Sequence, residues 1–172
     1  SLAARRLLDI ALELEDGDDV SRFRAFFLRG QIWQRADNLE LALSDYTAAI
    51  ALQPTIAEVY AFRATVYFSL EDYEAALQDY NEAIGYDTGQ AAYYLAVGIV
   101  QTQLEDYEAA IESFTQALEQ DEDLSIAYRE RGLAALADEN IEAAIADLEI
   151  YLEAEPAAPD RTDIEAILND LR

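Results

Sequence analysis

Four residue types are missing from this 172-residue chain: cysteine, histidine, methionine and lysine. Without cysteine there is no disulfide, no thiolate nucleophile and no structural zinc of the usual kind. That absence leaves the compartment open, because a disulfide-free helical domain serves in oxidising and reducing surroundings alike. Without histidine and lysine, the commonest general base and the Schiff-base amine are gone. The eleven basic residues are all arginine, against 36 Asp and Glu, for a formal net charge of −25. Nucleic-acid phosphates and anionic membrane surfaces both require a basic footprint, so neither is an expected partner. Such a charge favours solubility and, through self-repulsion, weakens the fold at low salt. No apolar run approaches the ~20 residues of a bilayer span. Ser1-Leu2-Ala3-Ala4-Arg5-Arg6 has a basic pair with no apolar core behind it, so no signal peptide is expected in this stretch. The lack of methionine even at the first position fits a domain excised or processed from a longer chain, and localisation stays open.

What is present is a core. The chain is 52% apolar, so the acids do not make it a disordered tail. Glu71-Asp72-Tyr73-Glu74-Ala75-Ala76 recurs unchanged as Glu105-Asp106-Tyr107-Glu108-Ala109-Ala110, 34 residues later. A fixed period of this length marks stacked helical hairpins. Gly30, Ala64, Gly98 and Gly132 share that spacing and are all small, as are Ala42, Ala76, Ala110 and Ala144. Ala49, Ala83 and Ala117 continue the pattern, with Tyr151 in fourth place. Phe26, Tyr60, Tyr94 and Tyr128 form a large column, and Tyr46, Tyr80, Phe114 and Leu148 another. Antiparallel helices approach closely only where small residues admit a ridge into a groove, with bulky neighbours filling the space beside them.

These columns resemble the tetratricopeptide repeat family. Phe26, Gly30, Trp33, Ala42, Tyr46, Ala49 and Pro54 give one full copy, and Tyr128, Gly132, Ala144, Leu148 and Pro156 the last. The resemblance implies an all-α, right-handed superhelical solenoid of four helix-turn-helix hairpins, at 23–56, 57–90, 91–124 and 125–158. Residues 1–22 are expected to hold an N-terminal helix, either the tail of an upstream repeat or a dedicated cap. Leu7, Ile10, Ala11 and Leu14 recur there at helical spacing, before the polar stop Glu15-Asp16-Gly17-Asp18-Asp19. Residues 159–172 read as a C-terminal capping helix, started by Thr162 or Asp163 and striped by Ile164, Ile167, Leu168 and Leu171. Two features depart from the family pattern. Thr88 and Glu122 replace the proline that ends the second helix, so those ends are expected to rest on Gly85 or polar residues and to fray or run long. Gln101 and Ala135 replace an aromatic, which predicts looser packing.

In this family the first helices line the concave face and the second helices the convex one. Sorted that way, the second helices carry acids (Asp45, Glu71, Asp72, Asp79, Glu105, Asp106 and Asp147 among them) and no arginine. The convex side is therefore expected to be a solvated acidic coat, with Glu71-Asp72 and Glu105-Asp106 favoured at helix starts by the macrodipole. The first helices hold Arg24, Arg29, Arg35, Arg63, Arg129 and Arg131, and 91–104 has no charge. By family register the groove presents Phe27, Gln31, Gln34, Arg35, Thr65, Phe68, Leu95, Ile99, Thr102, Gln103, Arg129, Leu133 and Leu136. Phe68, Leu95, Ile99 and Leu133 would form an apolar strip suited to an extended or helical segment of a partner protein. The peptide-carboxylate clamp of chaperone-binding members uses Lys and Asn, where Gln31, Thr65, Ala96 and Arg129 stand or lie nearby, so that function is not carried over.

Two other readings compete. A strip or uncapped end of this kind could pair two copies into a homodimer. An enzyme would have to use carboxylates, Tyr, Ser or Arg, but the paired acids recur once per repeat at a helix start, which fits structure better than catalysis. No catalytic residue, cofactor or metal site is expected. Asp16-Gly17-Asp18-Asp19 and Asp121-Glu122-Asp123 lack the spaced ligands of a calcium loop.

Overall fold

The computed structural model describes Arg6, Asp9 and residues 18–171. Leu7, Ile10, Ala11, Leu14 and Gly17, which carry the expected N-terminal helix and its end, lie outside the described residues. Among the described residues there are nine helices: α1 Asp19–Arg35, α2 Leu39–Leu52, α3 Ala57–Ser69, α4 Tyr73–Tyr86, α5 Ala91–Gln103, α6 Tyr107–Gln120, α7 Ser125–Ala137, α8 Ile141–Ala154 and α9 Arg161–Asp170. The chain divides into two compact units, Ser1–Thr88 and Gly89–Arg172. The first contains hairpins α1–α2 and α3–α4. The second contains α5–α6, α7–α8 and the terminal helix α9.

Each hairpin is joined by the same turn. Asp37, Glu71, Glu105 and Glu139 sit in left-handed backbone, with φ between 59° and 62°. The next residue closes the turn, its N–H donating to the carbonyl five positions back: Asp72 to Tyr67 at 3.0 Å, Asp106 to Gln101 at 2.9 Å, Asn140 to Ala135 at 2.8 Å. Its side chain then starts the following helix. Asp72 accepts from the Ala75 N–H, Asp106 from Ala109 and Asn140 from Ala143. Glu71 and Glu105 are therefore the strained turn residues, and the helix-start role belongs to Asp72 and Asp106.

Close packing follows the small columns. A Cβ on Gly30 would stand 2.6 Å from the Tyr46 ring, one on Gly98 2.5 Å from Phe114, and one on Gly132 3.0 Å from Leu148. Ala42, Ala64, Ala76, Ala110 and Ala144 are all fully buried. In the first unit Phe27 meets Phe62 edge-on at 5.3 Å over Tyr46, Ala49, Val59 and Val66. In the second, Phe114 packs with Ala110 and Ala134, and α9 lays Ile164 and Leu168 on Leu148, Tyr151 and Leu152.

Several expectations are corrected. The helix that the polar stretch was expected to stop lies outside the described residues, but Asp18 and Asp19 themselves belong to the start of the next one. Asp18 caps α1, accepting from the Ser21 N–H at 2.7 Å, so α1 starts four residues before Phe23. The second helices all end in register, at Leu52, Tyr86, Gln120 and Ala154, so replacing proline by Thr88 and Glu122 lengthens neither. Gly85 lies inside α4 and ends nothing. The following residue closes each end by its own N–H, Asp87 to Ala83 at 2.9 Å and Asp121 to Ala117 at 3.0 Å. The last helix is entered from Asp160, with Thr162 and Asp163 in its first turn.

Candidate interaction surface

The first-helix residues of the first unit are largely engaged. Phe27 is half-buried in the aromatic cluster, and Gln34 accepts from the Tyr46 hydroxyl at 2.7 Å. Thr65 is exposed, donates to the Ala61 carbonyl at 2.9 Å and lies 3.1 Å from the Tyr80 hydroxyl. Phe68 is half-buried with its ring 5.5 Å from Tyr73. Gln31 is half-buried, while Arg35, in the last turn of α1, is exposed.

In the second unit, Leu95 and Ile99 are half-buried on the Ala110, Phe114 and Ala134 cluster, while Leu133 packs with the terminal cluster around Leu148. Thr102 turns its hydroxyl back to the Gly98 carbonyl at 2.9 Å, Leu136 is half-buried and Gln103 is exposed. Helix α5 carries no charged side chain. Arg129 is held by Asp160 and Glu130, and Asp160 also accepts from the Tyr151 hydroxyl at 2.8 Å. Phe68 belongs to one unit and Leu95, Ile99 and Leu133 to the other, so the apolar surface is described unit by unit.

One feature escaped the reading of the sequence. Asp45, Asp79 and Asp147, assigned above to the solvated coat, are 3%, 4% and 6% exposed. Each is gripped by the arginine sixteen residues earlier. Arg29 donates through Nε and Nη2 to Asp45 at 2.7 and 2.6 Å, Arg63 to Asp79 at 2.7 and 2.8 Å, and Arg131 to Asp147 at 2.7 and 2.8 Å. The two-pronged bond matches guanidinium to carboxylate and lets both be buried. It also raises each guanidinium pKa further above its ordinary value. Nη1 of Arg63 reaches back to Thr47 of the preceding hairpin at 3.1 Å, and that of Arg131 to Thr115 at 3.0 Å. In the third hairpin both columns change together, to Val97 and Ser113, and Ser113 donates to Gln101 at 2.6 Å instead. That joint change at one fixed spacing was the available signal. Arg29, Arg63 and Arg131 are thus structural ties and not groove cations. Gln101 and buried Ala135 occupy the column that Trp33 and Tyr67 fill elsewhere.

Among the described residues no group of three acidic side chains is placed to hold a metal, and no helix is long and apolar enough to cross a membrane. These features define a class: helical-repeat proteins built from tandem two-helix units. The family profile described as Tetratricopeptide repeat matches residues 34–92, 63–122 and 98–159, more than half of the sequence, and the chain belongs to that family. No curated protein matches the sequence significantly. Among solved structures, a tetratricopeptide repeat protein from Parabacteroides merdae aligns with a TM-score of 0.88 at 22% identity, covering 99% of this chain and 66% of that one. YrrB, described as a TPR protein with an unusual peptide-binding site, aligns at 0.77 and 20%, covering 95% and 82%. The first TPR of Spaghetti (RPAP3), bound to an HSP90 peptide, aligns at 0.63 and 23%, covering 67% and 90%. At these identities the likeness is one of fold.

Proposed function

We propose that this chain is a protein-interaction module, without catalysis of its own, whose first-helix surfaces take a segment of a partner protein. The observation that carries the reading is α5. It has no charge, and its Leu95 and Ile99 are only half-buried, while the helices on either side of the chain's hairpins are rich in acid. A charge-free, partly apolar helix in a chain of net charge −25 suits contact with an apolar segment better than contact with water. The peptide complex named for Spaghetti and the peptide-binding site named for YrrB support peptide binding on this scaffold, though a shared fold does not carry over a partner. Arg129 is neutralised by Asp160 and Glu130, so the segment it faces has no need of a free carboxylate.

The test is affinity capture with the intact chain and with a Leu95→Ala/Ile99→Ala variant, the retained fold being checked by circular dichroism. The intact chain is expected to retain a protein that the folded variant loses. Equal recovery by both would remove the reading.

A further inference from the structure

The arginine column supplies an internal comparison. In the first unit Arg63 lies beside two rings, with its guanidinium carbon 5.8 Å from the Tyr60 centroid and 5.9 Å from that of Tyr67. In the second unit Arg131 repeats almost every contact: two bonds to Asp147, one to Thr115, and the Tyr128 ring at 5.6 Å. The counterpart of Tyr67 is the exception, because that column holds Ala135. A cavity of about 330 Å³ opens there. Ala135 and the Arg131 guanidinium are at α7, with Ile111 on one side and Ala143 and Ala146 of α8 on the other. None of the buried side-chain polar atoms among the described residues lacks a partner, so the cavity offers shape and the face of a cation rather than an unpaired polar group.

We propose that this cavity receives an aromatic side chain of a partner protein, its ring standing beside Arg131 as Tyr67 stands beside Arg63. A planar guanidinium favours a ring over an aliphatic group of the same size. The partially polar lining of Thr115, Asn140 and Asp147 accommodates a phenol or indole edge. Helices α6 and α8 carry acids and no base, so the ring is flanked by basic residues in the partner. The site is walled by the second helices α6 and α8 with Arg131 and Ala135 of α7 between them, and it shares no residue with the first-helix surface proposed above.

The probe is acetyl-Arg-Tyr-Arg-amide, titrated into the ¹⁵N-labelled full chain, with acetyl-Arg-Leu-Arg-amide as a control of equal charge. Saturable shifts are expected in residues 111–147 alone, with the tyrosine peptide binding about fivefold more tightly than the leucine one. Ala135→Tyr, which restores the repeat's own ring, should abolish them. Ala146→Leu, at an exposed position, should weaken them and guards against a folding failure of the first variant. Equal binding of the two peptides, shifts scattered over the acidic surface, or shifts unchanged in a folded variant would each overturn the proposal.

Discussion

Replacing Asp79 by Ser, Arg63 by Val, and both together measures what the buried ties contribute. Asp79 has a side chain only 5% exposed and Arg63 one 17% exposed, joined at 2.7 Å. Removing the carboxylate leaves the guanidinium with the Thr47 hydroxyl as its remaining polar contact, and removing the guanidinium leaves a carboxylate out of reach of bulk water. Each single change is expected to cost about 3 kcal/mol, because an uncompensated buried charge remains. The double variant recreates the Val97 and Ser113 pairing that the third hairpin already uses. It leaves no orphan charge, so its cost is expected to stay at or below about 3 kcal/mol rather than reach the sum, a coupling of at least about 3 kcal/mol. Urea denaturation of the four proteins, followed by circular dichroism, gives the cycle directly. Single costs that add to within about 0.5 kcal/mol would show that the pair is not coupled and would refute the argument.

Two further outcomes follow from the turns and the cap. Replacing Asp37, Glu71, Glu105 and Glu139 by Gly relieves left-handed strain of about 1–2 kcal/mol per residue, partly offset by glycine's larger unfolded-state entropy. A net gain of about 0.5–1 kcal/mol per site should raise the urea midpoint. The Glu71→Gln variant loses charge without changing backbone preference and should gain less; an equal gain would assign the effect to charge. The Asp160 carboxyl is held below its ordinary pKa, first by the Tyr151 hydroxyl and then by Arg129. A depressed folded pKa means its contribution is full above the unfolded value, ~3.9, and is lost as pH falls through the folded one. Protection factors of the α9 amides, corrected for the intrinsic slowing of exchange in acid, should therefore fall on acidification through that range more in the native chain than in Asp160→Asn, and identical profiles would count against it.

Much of the architecture was legible because it is written in side-chain size. At Gly30 and Gly98 a Cβ would collide with the facing ring and at Gly132 it would crowd Leu148, and a steric need of that kind repeats with the fold. The start of the last helix and the ends of α4 and α6 were read less well. They are decided by which backbone N–H reaches which carbonyl, and many side chains permit that. The buried aspartates were misread for a different reason. Composition treats every acid on a second helix alike, whereas Asp79 faces the hairpin and Glu74 faces water on the same helix. The period was the clue, since Asp45, Asp79 and Asp147 change only where Arg29, Arg63 and Arg131 change too.

The pairing of these charges alters what the two units can bind. Counted from sequence, the first helices offered arginine at both ends of a groove. In the structure Arg29, Arg63 and Arg131 are tied to buried aspartates, and Arg129 is held by Asp160 and Glu130. The exposed arginines that remain on first helices, Arg24 and Arg35, are both on α1 in the first unit. A carboxylate on a partner therefore gains attraction from the first unit and finds none of it along α5 and α7. Along α5 it would instead lose hydration against side chains that cannot replace it, at a cost that grows as Leu95 and Ile99 are covered. If the first helices take a partner segment as proposed, the first unit is expected to tolerate an acidic or polar stretch and α5 to select an uncharged, apolar one.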